Sequence, residues 1–588
     1  MKKYLLVVLA ALGFAACTED NGGTNFPQNG ELEESYIAIN LMSTDIDTRA
    51  NTPDNVYEDG TEVERKINTA FFFFFDENGN PFYVDAHTNG GATAPGRVDG
   101  KNHLQLTIDE ENFGNKTPNI SDIKKAVLVL NTYKGVYPSK IVAILNWTPV
   151  NKTYSLEELH EVIDGSLGNS TNGFVMSNSV YKDGTGNMVD ATPITLANIK
   201  TTAAAAMDAP IDIYVERTAA KVIVSAGTDA TTLADGSILF DTEKEPSLIQ
   251  TLQPLSSVKV YVNIKGWELY NDYKTTNLLK NIDVANWDDA GNYLGLVWNN
   301  APYYRCYWAE SQNVDPNDVF NWEYTDAIKT EKGFKTNYGF KVATAQGYAD
   351  DATYTYCAEN TNGESRRTKV ILKGQLMQED DVPGTYKALE LARWYGNEYA
   401  GNDALRTAVA NSLAYTLFYK VGDTYTSIDK DDIECVKGSL TGDESYEVGF
   451  QLSTQGKAKQ WYLKNSVQGY VPLTDNISDA EAMKAATNAY LADNIEPALL
   501  YTNGMTYYIV DIKHLGAPQS LAEYGVVRNH VYKIAINSIK GYGSPIYNGF
   551  DFIVDNPLYP EEDDASYVAA KINVLSWKVV TQGVDIVK

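Results

Sequence analysis

Histidine and cysteine are scarce in this chain, five and four among 588 residues. With so few imidazoles and thiols, there is little from which to build metal cages or His-based acid–base chemistry. Basic residues are also in short supply: 48 Lys and Arg face 77 Asp and Glu, a formal charge of −29. A surface that acidic repels phosphate backbones, which argues against nucleic acid as a partner. No Cys-x-x-Cys pair and no Gly-x-Ser-x-Gly elbow occur, so redox and hydrolase nucleophiles have no marked seat. Leu159-His160-Glu161-Val162-Ile163-Asp164 begins like a zinc-protease helix, but Asp164 stands where the second His ligand is required. Gly541-Tyr542-Gly543 lacks the third glycine and the helix of a dinucleotide site. Asp76-Glu77-Asn78-Gly79-Asn80 lacks the twelfth-position Glu of an EF-hand and reads as a hairpin turn. Carboxylates are too numerous for any glycosidase pair to be singled out. The expectation is a non-enzyme with no cofactor and no metal.

The chain does have aromatic side chains in quantity, 40 Tyr, 18 Phe and nine Trp, within an ordinary 44% hydrophobic content. Such a composition favours a β-rich scaffold or an adhesive surface. The length prior gives about four average domains, and two or three of the longer all-β kind.

Lys2-Lys3, the apolar run Tyr4 to Leu12 and the small-residue stretch up to Cys17 form an export signal. No later segment reaches the length of apolar run that a membrane-spanning helix needs. Phe14-Ala15-Ala16-Cys17 is similar to a bacterial lipobox with Phe in place of the commoner Leu, which makes Cys17 the candidate for acylation. Thr18-Glu19-Asp20 resembles a surface-export signal of outer-membrane lipoproteins. The alternative is an ordinary signal peptide ending near a cysteine. Cys306, Cys357 and Cys435 then remain, so at most one disulfide forms.

Residues 18–35 read as a polar tether. In Tyr36 to Met42, the side chains of Ile37, Ile39 and Leu41 share one face at period two, marking a half-buried strand. Polar residues 43–54 follow, with Arg49-Ala50 in their midst. A lone arginine in such a stretch suits a trypsin-like protease, although composition alone makes it an ordinary surface arginine. Further strands are expected over 66–75, 140–147, 211–225, 258–264, 369–376, 507–511 and 531–536. Helices are expected over 155–163, 403–414 and 479–492. Residues 556–564, rich in Pro and acid, read as a spacer before a terminal strand within 567–587, packed away from its own body. There Ile572 and Val574 lie on one face, and Leu575, Trp577 and Val579 on the other, so a bulge or two short strands are expected near Leu575. The fold class is mainly β, a β-sandwich architecture with a few inserted helices.

Several strings, in order, carry a family resemblance. They are Cys17 and Arg49; Glu64-Arg65-Lys66-Ile67 leading into Phe71 to Phe75; and Val215-Glu216-Arg217-Thr218-Ala219-Ala220-Lys221-Val222. Further on come Tyr356-Cys357-Ala358-Glu359-Asn360-Thr361, Tyr524 to Tyr532, and Ser576-Trp577. Together they resemble the type V fimbrillins, and within these the branch that builds the shaft of short fimbriae.

The resemblance implies two transthyretin-like β-sandwich domains, 50–216 and 217–555. Before them lie a lipoprotein signal (1–17) and a propeptide (18–49); after them, a linker with donor strands (556–588). It implies an outer-membrane lipoprotein precursor cut by an arginine-specific protease after Arg49, so that Ala50 becomes the first residue. The strand carrying Ile37, Ile39 and Leu41 would leave, and the tail of another subunit, with Ile572, Val574, Leu575, Trp577 and Val579, would take its place in a cell-surface fimbrium that mediates adhesion. Partners would then be copies of the chain, related fimbrial subunits, the processing protease and host or bacterial surface ligands. Rival readings are a tip or accessory adhesin and a surface glycan-binding lipoprotein.

Overall fold

A computed structural model describes residues 32–42, 57–84, 102–106, 126–282, 304–311, 354–437, 447–546, 567–574 and 577–582, with short breaks inside these spans. The chain is mainly β, and its sheets enclose separate apolar cores. No helix among the described residues is long and apolar enough to cross a membrane.

The N-terminal half contains β1 (Leu32–Met42), β2 (Tyr57–Glu58), β3 (Ala70–Phe75), β4 (His103–Leu106), β5 (Ala126–Tyr133) and β6 (Lys140–Leu145). Helix α1 (Leu156–His160), β7 (Met176–Asn178) and β8 (Ile211–Arg217) follow. Except for β2, these strands form one sheet in the order β4-β3-β6-β7-β8-β1-β5. Leu128 and Leu130 of β5 share a core with Phe72 and Phe74 of β3, although the two strands lie near opposite ends of that order. The sheet must therefore curl over on itself, and its two arms form the layers. The phenylalanine strand is buried on both faces. Phe71, Phe73 and Phe75 pack outward against Tyr154, Leu156 and Leu159 at α1 and against Leu278 and Leu279. Coverage on both sides explains why β3 reads as a continuous apolar run rather than an alternating one. Ser155 caps α1 in a capping box with Glu158.

The C-terminal half is a two-layer sandwich. Its strands are β9 (Ala220–Ala226), β10 (Ile238–Asp241), β11 (Tyr261–Tyr270), β12 (Tyr354–Cys357), β13 (Lys369–Glu379), β14 (Met505–Asp511), β15 (His530–Lys540), β16 (Tyr567–Val574) and β17 (Trp577–Gln582). One sheet runs β2-β17-β16-β15-β9-β12, and β10-β11-β13-β14 lie in the other. Val222, Val224, Ile534 and Ile536 of the first sheet meet Phe240, Val262, Leu372 and Tyr508 of the second in one core. The two halves close alike: β1 runs parallel to β8, and β9 runs parallel to β15.

Between β13 and β14, which pair directly from Lys369↔Asp511 to Gln375↔Met505, the chain makes a long excursion. Leu391 and Tyr501 pair at its root, and beyond them a third core forms around Leu405, Ile433, Trp461 and Leu491. Helices α2 (Gly401–Leu413) and α3 (Ala480–Asn494) lie in this unit. Asp479 caps α3 by accepting from the N–H groups of Glu481 and Ala482.

Two expectations need correcting. Residues 211–225 are two strands in different sheets, because the chain changes sheet at Thr218-Ala219, between β8 and β9. The span taken as one C-terminal domain holds a further core of its own, since α2 and α3 bury their apolar stripes against the excursion's strands rather than the sandwich. The terminal stretch does divide in two, on either side of residues 575–576.

Candidate functional site

The first feature is the seat of β1. Its first part pairs antiparallel with β5, from Leu32↔Tyr133 to Ile39↔Ala126. Its last part pairs parallel with β8, from Ile39↔Ile211 to Met42↔Tyr214, which places Leu41 opposite Ile213. Ile37 is wholly buried in the N-terminal core. Among the described strands, β5 is joined to the sheet only through β1. Lifting β1 out would bare ladder groups on both neighbours and open a slot over Ile211, Ile213, Leu128 and Leu130. Cys17, Arg49 and Ala50 lie outside the described residues.

The second feature is the tail. β16 runs antiparallel along β15, from Lys533↔Asn573 to Lys540↔Tyr567, with a register shift between Ile536 and Ser538. β17 lies parallel to the start of β15, with Val531↔Val579 paired, and turns back on β16 through Val574↔Val579 and Ile572↔Gln582. β2 then pairs with β17, Tyr57↔Lys578 and Glu58↔Trp577. The expectation that the tail packs away from its own body is therefore wrong for the isolated chain. Strand β15 has a ladder edge to satisfy, and the tail satisfies it. Leu575 lies outside the described residues.

The third feature is the junction between the halves, where the strings that carried the family resemblance converge. Glu64 pairs with Lys221 at 2.8 Å and accepts from the hydroxyl of Tyr356. Arg217 donates from Nε to the Glu64 carbonyl at 2.8 Å and from Nη1 to Asn529 Oδ1 at 3.2 Å. Asn529 sits in the left-handed region at φ 55 and donates its N–H to the Ala219 carbonyl, which ties β15 to the crossing point. Arg528, fully buried, pairs with Glu359 at 3.2 Å and donates to the carbonyls of Asn277 and Leu278. Glu216 and Lys280 form a second fully buried pair at 3.0 Å.

Burial pushes the Glu64 carboxyl up, but the Lys221 charge and hydrogen bonds from Lys221, Tyr356 and Thr61 outweigh it. Glu64 thus stays below the ordinary glutamate range. Burial, and then the Glu64 charge, push the Tyr356 phenol above its own range. In this arrangement Glu64, Arg217, Arg528 and Glu216 are each held by a partner across the junction. Among the described residues no group of His, Cys, Asp and Glu could hold a metal ion. His160, from the half-formed zinc motif, instead pairs with Asp190 at 3.1 Å. Cys357 and Cys435 are buried free thiols; Cys306 lies outside the described residues. The clustering of Glu64, Lys221 and Tyr356 had no sequence signal, because the partners are 157 and 292 residues apart.

Comparison with known proteins gives one family match: residues 499–583 match the model described as major fimbrial subunit protein type IV, fimbrillin, C-terminal. No curated protein matches the chain. Among solved structures, it is similar to a fimbrilin from Porphyromonas gingivalis, with 13% identity over 93% of this chain and 98% of that one and a TM-score of 0.35. It is also similar to a tip fimbrial protein from Porphyromonas gingivalis with C-terminal truncation, at 10% identity over 91% and 99% of the two chains, TM-score 0.25. A fimbrial assembly protein from Parabacteroides distasonis is similar at 9% identity over 74% and 100%, TM-score 0.26. The matched span 499–583 holds β14, β15 and both tail strands, so this part of the chain carries the fimbrillin C-terminal signature, in line with the resemblance drawn from the sequence.

Proposed function

We propose that the chain is a structural subunit of a surface fimbrium that polymerises head to tail by exchanging strands. The observation that carries this reading is the position of β1. It fills an interior place in its sheet, between β5 and β8, yet it lies ahead of Arg49 in a stretch suited to proteolysis. Cutting after Arg49 would detach β1 and the lipid on Cys17 together, leaving a two-sided slot that another extended segment can fill.

The tail is the natural occupant. Its apolar positions fall in two period-two sets, Ile572 and Val574, then Leu575, Trp577 and Val579, and five such side chains contribute on the order of 10 kcal/mol before ordering costs. A tail drawn from its own sheet loses its ladder with β15 and gains one with both β5 and β8 of a neighbour. Because donor and acceptor surfaces differ, the contact propagates into a filament instead of closing a dimer. The lipid-anchored precursor, the arginine-specific protease and the role in adhesion belong to the same proposal.

The test is a pair of variants read on non-boiled gels, together with N-terminal sequencing of surface material. Arg49→Ala should leave an uncut, lipid-bound monomer, and deletion of 567–588 should give cut but unpolymerised protein. Mature material should begin at Ala50. Ladders from both variants would overturn the proposal.

A further inference from the structure

The sheet that holds the tail ends in a strand that does not belong to the C-terminal half. β2, only two residues long, pairs with the outer edge of β17 through Tyr57↔Lys578 and Glu58↔Trp577. It begins eight residues after Arg49, so the segment directly downstream of the proposed cut lies on the strand proposed to be donated. We infer that β2 is a strap, which holds the tail in its own sheet and shields its edge while the precursor is intact and loosens when the chain is cut at Arg49. This inference rests on the strand-exchange reading above and adds a regulatory step to it.

The physical case has three parts. An outermost strand exposes unpaired N–H and C=O groups that invite pairing with another chain, and β2 covers part of that edge on β17. Two residue pairs are a weak hold in themselves, so the hold depends on how the strap is tethered. In the precursor it is tethered at both ends. Upstream, β1 is bound between β5 and β8 as far as Met42↔Tyr214. Downstream, the Thr61 N–H donates to Glu64 Oε2 at 2.8 Å, and Glu64 is fixed by Lys221. A segment pinned at two points stays at high local concentration beside its partner. Cutting after Arg49 removes the upstream pin, so the strap can peel from a free end. Processing would thus prepare the acceptor slot and free the donor in one event.

The test separates donation from acceptance. The donor is the Arg49→Ala precursor, which keeps β1 and cannot accept a tail. The acceptor is cut protein lacking residues 567–588, which cannot donate. Heterodimer formation is followed on non-boiled gels with the donor unchanged, with Glu58→Pro added, or with Tyr57→Pro added. Proline removes an N–H from the edge pairing, and using both positions covers whichever N–H faces β17. Thermal unfolding of each donor checks that the fold is retained. A strap requires heterodimers to form about tenfold faster with the proline at whichever of the two positions has its N–H on β17, as expected for losing a backbone hydrogen bond. Equal rates for all three donors would overturn the strap. If even a cut full-length donor forms no heterodimer, the strand-exchange reading fails, and the strap fails with it.

Discussion

Glu64 and Lys221, 157 residues apart in sequence, meet at 2.8 Å where the two halves of the molecule join. Their side chains are 1% and 9% exposed, so the pair is desolvated and each charge depends on the other. Lys221 also lies 4.1 Å over the ring of Tyr354, while Tyr356 closes the other side of Glu64. The junction also carries Arg217 and Asn529, and the chain enters the second sheet directly beside them. The end of β1, at Met42↔Tyr214, and the start of β17, at His530↔Lys578, both lie within a few residues of this crossing.

Breaking this pair from one side should be costly. Lys221→Met leaves the Glu64 carboxylate buried without its counter-charge and should lower stability by about 3–5 kcal/mol. Adding Glu64→Gln should recover more than half of that loss. Urea unfolding of the two single variants and the double variant checks this; additive losses would mean that the two groups do not act as a pair.

Acid should loosen the same junction. Glu64 is held below its unfolded value of 4.5, so its contribution is complete above pH 4.5 and is lost as the pH falls through the lower folded value. Glu64→Gln should flatten that part of the stability curve. Thermal midpoints measured from neutral pH to below 4.5 would show parallel curves for variant and parent if the group were not coupled to folding.

The two-faced burial of β3 predicts that adjacent phenylalanines are about equally sensitive. Phe73 packs against His103, Trp147 and Tyr154, at ring distances of 5.0, 6.3 and 5.8 Å. Phe72 lies in the opposite core, beside Leu128 and Leu130. Phe72→Ala and Phe73→Ala should each cost about 3–5 kcal/mol in denaturant titrations. A strand with one wet face would lose stability at only one of the two positions.

The excursion between β13 and β14 should be removable. Leu391 and Tyr501 are antiparallel partners at its root, and β13 pairs with β14 without it. Replacing residues 392–500 by Asn-Gly gives a two-residue hairpin connection of favoured type. The shortened chain should stay soluble, keep its β-type circular dichroism and still form ladders after cutting. Loss of the folded spectrum would show that the third core supports the sandwich.

Much of the local structure was legible in the sequence because it depends on near neighbours. Period-two patterning marked β1, a Ser155 cap marked the start of α1, and three/four apolar spacing marked α3. The change of buried face near Leu575 anticipated the division of the tail into β16 and β17. The strand expected over 211–225 failed because both of its parts are equally apolar. Nothing local to Thr218 reveals that the next residues join a different sheet.

The sequence by itself determined the mainly β class and the approximate place of several strands and helices, since periodicity and caps act over a few residues. Only the tertiary structure decided that β1 is an interior strand, that the tail lies on β15, that β2 reaches over to β17 and that Glu64 meets Lys221. Those are pairings between segments far apart in the chain. Backbone hydrogen bonding is the same for every strand, so the choice of partner falls to side-chain packing and buried charge across the whole fold.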